Sequence, residues 1–170
     1  MTLPASAELR WITASVIKHL NATLPDLPLL IGPVFDTPAV LPALILQRLD
    51  TTTTSFLDQR TSITSNQRGI GLTVRYWLGL VAEPSTWQVA GGALLDRLRV
   101  ACATGSIPWE SESEAGTVIT EGALRVQWHE GEGMSRPGWL KPLLAARNWE
   151  IASAEISVSA LLQWPEGVTP

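Results

Sequence analysis

Few residues in this 170-residue chain have the types and spacing that chemistry asks for. They are His19, His129, Cys102 and the alternating carboxylates Glu110, Glu112 and Glu114. A zinc site needs three or four nitrogen, sulfur or oxygen ligands at close spacing. Only Glu130 and Glu132, just after His129, approach that pattern, so both histidines read as surface residues. A Ser-His-acid triad assembles from residues distant in sequence, so spacing alone does not exclude one. The chain nevertheless has no Gly-x-Ser-x-Gly elbow to mark a nucleophile. An enzyme reading would have to gather His129, Glu130 and Arg125 around a pocket. Cys102 falls on the inner side of a predicted helix, where a thiol behaves as a small apolar group. As the single cysteine it leaves no intrachain disulfide and no cysteine-based metal site. The three glutamates lack the Asp/Asn pattern and closing Glu of a calcium loop and read as a solvated face. Gly69-Ile70-Gly71 lacks the third glycine and the following helix of a phosphate loop. No metal, cofactor or catalytic residue is expected.

Composition bears on partners. Apolar residues make up 45% of the chain and charged residues 16%, against roughly 25% charged in ordinary soluble domains. A subunit that hides surface against neighbours tolerates so few charges, as does a well-packed monomer. The net charge is −4, and the twelve basic residues are scattered without forming a stripe. That argues against groove-reading contact with nucleic acid. All but Lys18 and Lys141 are arginines, whose planar fork pairs bidentately with carboxylates. The first ten residues lack the basic-then-apolar pattern of a secretory signal, and no apolar run is long enough to span a bilayer. The expectation is a soluble protein made in a reducing cytoplasm.

The elements that would position these residues follow from periodicity. Leu9, Ile12, Val16 and Leu20 recur at helical spacing and predict a first helix over Ser6–Leu24, with Ser6 as cap. Prolines 25, 28, 33, 38 and 42 forbid a helix in the next segment, although Leu29–Phe35 suits a short edge strand. Leu41–Leu49 is apolar on both faces and reads as an inner strand. The Thr- and Ser-rich stretch from Asp50 to Gln67 is flanked by strands and predicts a long projecting hairpin, about 50–68. Ile70–Leu80 alternates strictly: Ile70, Leu72, Val74, Tyr76, Leu78 and Leu80 on one face, Gly71, Thr73, Arg75, Trp77 and Gly79 on the other. A second helix, Thr86–Ala103, takes Ser85 as cap, Gly105 as stop, and an inner face of Val89 or Ala90, Leu94, Leu98, Ala101 and Cys102. An acidic loop, about 106–116, precedes a strand at Leu124–Trp128. A short helix follows at Trp139–Arg147, and a closing strand runs from Ile151 to Trp164. The predicted fold is α/β (α+β) in one domain, 1–170: a mixed, mainly antiparallel sheet packed with two or three helices.

Eight tryptophans stand beside one tyrosine and two phenylalanines. Tryptophan is enriched at the centres of subunit contacts. Trp109, in the acidic loop, reads as an interface residue. Trp77 reads equally as an interface residue or as one buried by a helix on the far face of its strand.

The order of elements resembles that of the tail terminator proteins of long-tailed phages and the related tube caps of contractile injection systems. The resemblance rests on "GPVFDTPAVLPALILQRL" (32–49), the polar hairpin, "RGIGLTVRYWLGL" (68–80) and "GWLKPLLAARNWEIASAEISVSALL" (138–162). The segment 106–136 is longer and more acidic than that pattern. The resemblance implies a structural virion protein of the tail or neck, assembled in the host cytoplasm. It would form a homo-hexameric ring on the tail tube, stop tube polymerisation and present the surface for head–tail joining. Its implied partners are other copies of itself, the tube protein, a head–tail connector and, in a contractile tail, the sheath; DNA would be passing cargo only, and no membrane is involved. Asp58, Arg60 and Arg68 in the hairpin become candidate contacts, with Trp77 and Trp109. Glu110, Glu112 and Glu114 become candidate lumen lining, since a channel that passes DNA avoids gripping phosphates. The alternatives are another neck protein, such as a head-closure or tail-completion factor, a small enzyme, or an unrelated binding module.

Overall fold

The computed structural model describes the backbone of residues 5–34, 38, 40–56, 68–103, 105–107, 119–120, 124–130, 136–147 and 150–164. The mixed α+β architecture expected from periodicity is present. Helix α1 spans Ala5–Thr23, so Ser6 lies inside its first turn rather than capping it. Ile12, Val16 and Leu20 form its buried stripe, and Leu24 and Leu27 extend the apolar contact into the following turn.

The strands are β1 (Leu29–Ile31), β2 (Ala43–Phe56), β3 (Arg68–Ala82), β4 (Ser106–Ile107), β5 (Ile119–Thr120), β6 (Leu124–His129) and β7 (Glu150–Trp164). They form one sheet in the order β1-β2-β3-β7-β6-β4, with β5 paired to the outer end of β7. Only β1 runs parallel to its neighbour; the other pairings are antiparallel. The proline-rich edge strand is shorter than expected because Pro28 and Pro33 bracket it, and proline cannot donate to a ladder.

The polar hairpin is more deeply built into the sheet than its composition suggests. Strand β2 continues through the threonines to Phe56, and β3 begins at Arg68. On the far side of β3, β7 pairs as far as Arg68 with Trp164, so three strands reach the outer end. A register shift between Arg48 and Asp50 marks a bulge at Leu49. Such a bulge sets two consecutive side chains on one face. Leu49 accordingly packs with the α3 cluster described below while Asp50 meets Arg75 on the same face.

Helix α2 spans Pro84–Cys102. Its first residue is Pro84, whose fixed φ suits the opening turn, and Glu83 stands at the cap without a side-chain cap bond. The expected cap, Ser85, therefore lies inside the helix. Gly91, Leu94, Leu98, Ala101 and Cys102 face inward, and Ala90 packs half-buried against the same core, so of the expected pair it is Ala90 that faces in while Val89 is 90% exposed. Trp87 covers Gly91: a side chain on Gly91 would meet the indole at 2.2 Å, so the ring lies across that glycine. Gly105 follows with φ +74°, the left-handed conformation expected where a helix stops.

Helices α1 and α2 cover one sheet face, packing on Leu44, Leu46, Leu72, Val74, Tyr76, Leu78, Leu80, Ile156 and Val158. Helix α3 (Leu140–Arg147) covers the opposite face over Ile45, Trp77, Val81 and Ile151 through Leu140 and Leu144. Pro142 lies in its first turn, where no intrahelical donor is lost. Period-two alternation thus separates two cores through the same strands.

Candidate interaction surfaces

Trp77 is fully buried within its own chain. Its indole meets Trp139 edge to face, with centroids 6.0 Å apart at 89°. Trp139 in turn donates its indole N–H to Gln47 Oε1. The interface reading of Trp77 is therefore corrected: α3 covers the ring, and it offers no surface to a partner. Trp77 Nε1 and Ser153 Oγ are buried without hydrogen-bond partners, and such groups cost about 1–3 kcal/mol each. Close packing on Gly79 holds the ring in place, since a Cβ there would meet Trp77 Cη2 at 2.2 Å.

Beyond the end of α3 the same sheet face opens to solvent and becomes polar. Register sets Thr52, Thr73, Ser159 and Arg125 side by side across β2, β3, β7 and β6. The next row is Asp50, Arg75, Ser157 and Gln127, and the row after it Gln47, Trp77, Glu155 and His129. Arg75 donates Nε–H to both Asp50 carboxylate oxygens, at 2.9 and 3.0 Å, and lies 3.8 Å from Glu155. The hydrogen bond to Asp50 raises the Arg75 pKa and keeps its charge. Thr73 and Ser159 share a hydrogen bond of 3.0 Å between their hydroxyls. Two arginines and two carboxylates leave this surface without net charge.

His129 lies on that face, its Nε2 3.2 Å from Ser157 Oγ. Glu130 belongs to a different contact: it accepts from Arg99 Nε and Nη2, both at 2.7 Å, and from Trp128 Nε1 at 3.2 Å. The Arg99 bond holds the Glu130 carboxyl below the usual carboxylate range. Arg125, two rows from His129, is exposed. His129 and Glu130 are thus held in separate contacts, with Ser157 and with Arg99. His19 is structural: its Nε2 donates to the Ala101 carbonyl at 2.7 Å, tying α1 to the end of α2. Tyr76 and Thr13 share a 2.8 Å hydrogen bond that ties α1 to the sheet. Cys102 is buried as expected, and burial pushes its thiol from 9.0 up to about 12, which suppresses the reactive thiolate. Among the described residues no group of three or more His, Cys, Asp or Glu could hold a metal ion. No helix among them is long and apolar enough to cross a membrane.

Of the remaining expected contacts, Asp58, Arg60, Trp109, Glu110, Glu112 and Glu114 lie outside the described residues. Arg68 is placed as the first residue of β3, and its side chain lies outside the described set. Sequence reasoning missed the charge cluster of Asp50, Arg75 and Glu155. The hairpin held its signal, since folding the ribbon about its middle brings Asp50 opposite Arg75.

Large exposed apolar side chains fall elsewhere. Val89 (90%) and Val100 (71%) project from α2, while Ile31 (53%) and Val40 (58%) lie in and after β1. The sequence matches no protein-family model and none of the curated proteins.

Proposed function

We propose that the chain is a non-catalytic assembly subunit that caps a tail tube as a hexameric ring, ends tube polymerisation and presents the surface for head–tail joining. The observation that carries this reading is the division of the surface into two kinds. The open sheet face is polar, with Arg75 held by Asp50 and near Glu155. The outer side of α2 and the β1 edge instead expose large apolar side chains. Apolar patches suit permanent neighbours, whereas a polar, charge-balanced face suits a channel through which a polyanion slides without counterion exchange. The order of elements that resembles a tail terminator adds support. In this reading the partners are further copies of the chain, the tube protein and a connector, with sheath protein if the tail contracts.

The hairpin tip is the candidate arm for the tube. Its strands cannot be removed without loss, because Leu72 and Val74 on β3 are core residues alongside the threonines of β2. Replacing only 57–67 with a short turn should leave thermal stability intact and abolish docking on tube protein. Docking that survives this trimming would remove the arm from the account. A chain that leaves tube elongation unchanged when added to polymerising tube protein would contradict the capping role itself.

A further inference from the structure

We propose that the outward side of α2 seats the β1 edge of a second copy of this chain in a head-to-tail contact; the proposal rests on the ring reading above. At 3.6 residues per turn, Val89, Gly92, Ala93, Asp96 and Val100 share one side of α2, and Ala103 follows at its C-cap. All six are exposed. Nothing lies within 4 Å of where a Gly92 side chain would begin, so Gly92 and Ala93 leave a shallow trough between the two valines. Those valines stand about 16 Å apart along the axis at 1.5 Å per residue. One charge interrupts the trough: Asp96, 70% exposed, whose Oδ1 accepts from Arg99 Nη1.

The β1 edge has the complementary character. The Pro28 carbonyl and the Gly32 N–H bond to β2, at 2.9 and 2.8 Å. Strand alternation therefore turns the main-chain groups of Leu29 and Ile31 away from the sheet. Ile31 is the exposed apolar side chain at that edge, opposite Leu46. Arg48, two residues beyond Leu46 on the same face, is exposed and makes no ion pair among the described residues. Ile31 and Arg48 on one copy thus match the trough and Asp96 on the next, apolar against apolar and cation against anion.

Because the two patches differ, the contact is heterologous and can repeat around a ring. An α2-to-α2 contact across a two-fold axis would instead place Asp96 close to its own copy near the centre, where like charges oppose association.

Two variants, Ile31→Cys and Ala93→Cys, test the contact by oxidation of the full chain, alone and with tube protein present. Native Cys102 is buried and adds no background. A disulfide-linked dimer is expected when the two variants are mixed, none from either alone, and a ladder up to six from the double variant. In parallel, Arg48→Asp or Asp96→Arg should weaken self-association by about tenfold or more, and the double charge swap should restore it. Cross-linking by Ala93→Cys alone, or a swap that fails to rescue, overturns the head-to-tail contact. Six-fold rings on tubes without an Ile31–Ala93 cross-link overturn this contact and leave the capping role standing. A strict monomer with tube protein present overturns both.

Discussion

The two halves of one sheet face show how covering decides what the same strands can do. Strand β3 presents Trp77, Gly79 and Val81 at one end and Thr73 and Arg75 at the other, all on the same side. Where α3 covers them, the residues are apolar or glycine and fully buried, and Trp139 closes over Trp77. Where the helix ends, one step of the pleat replaces tryptophan with arginine, and the cross-strand neighbours become Asp50 and Ser157, with Glu155 3.8 Å away on the diagonal. Pairing of β3 with β7 is continuous through both halves, and on the β2 side the register shift at Leu49 falls at the boundary. The covered half fixes the fold, and the open half keeps its polar side chains at the surface.

Substitutions across this boundary should separate the halves cleanly. Trp77→Ala should lose about 3–5 kcal/mol in urea unfolding, since it empties the centre of the α3 core. Gly79→Ala should cost about 1–3 kcal/mol, because the new methyl group meets the Trp77 ring. An alanine as stable as the glycine would mean that the indole does not lie across Gly79. Trp139→Phe keeps the edge contact with Trp77 and removes the hydrogen bond to Gln47, for a loss of about 1 kcal/mol. On the open half, Arg75→Gln and Thr73→Val should leave the unfolding midpoint within error of the parent. A large loss there would erase the distinction between the halves.

Alkaline titration tests the core on the other side of the sheet. The Cys102 pKa is raised from 9.0 to about 12 in the folded chain, chiefly by burial. The unfolded state releases its proton first, so this contribution to stability is complete below pH 9.0 and lost as pH rises towards 12. Tyr76, raised by burial against its bond to Thr13, adds loss in the same direction above pH 10.0. Cys102→Ala should shallow the decline, measured as the unfolding midpoint at successive pH values.

Much of the fold was legible because its strands alternate strictly and its first helix carries a clean stripe. Ile70–Leu80 and Ile151–Trp164 lie within strands β3 and β7, and Leu72, Val74, Tyr76, Leu78 and Leu80 are buried on the one face that alternation gives them. Three features escaped for physical reasons. The bulge at Leu49 shifts register without the glycine that often marks one. Gly91 joins the buried side of α2 because Trp87 lies over it, a contact that composition does not announce. The covering of Trp77 depends on α3, more than sixty residues away in sequence, folding back over β3. For the same reason the charge cluster of Asp50, Arg75 and Glu155 emerged only with the topology. Arg68 could be placed only by its backbone, and Trp77 proved to be core.

The central claim is that this chain works as one copy in a ring at the end of a tube. Electron microscopy of tube protein polymerised with the purified chain tests it most directly. The account predicts a six-fold ring of this chain at one end of each tube and shorter tubes as its concentration rises. Tubes with bare ends and unchanged lengths, beside a chain that remains monomeric, would contradict it.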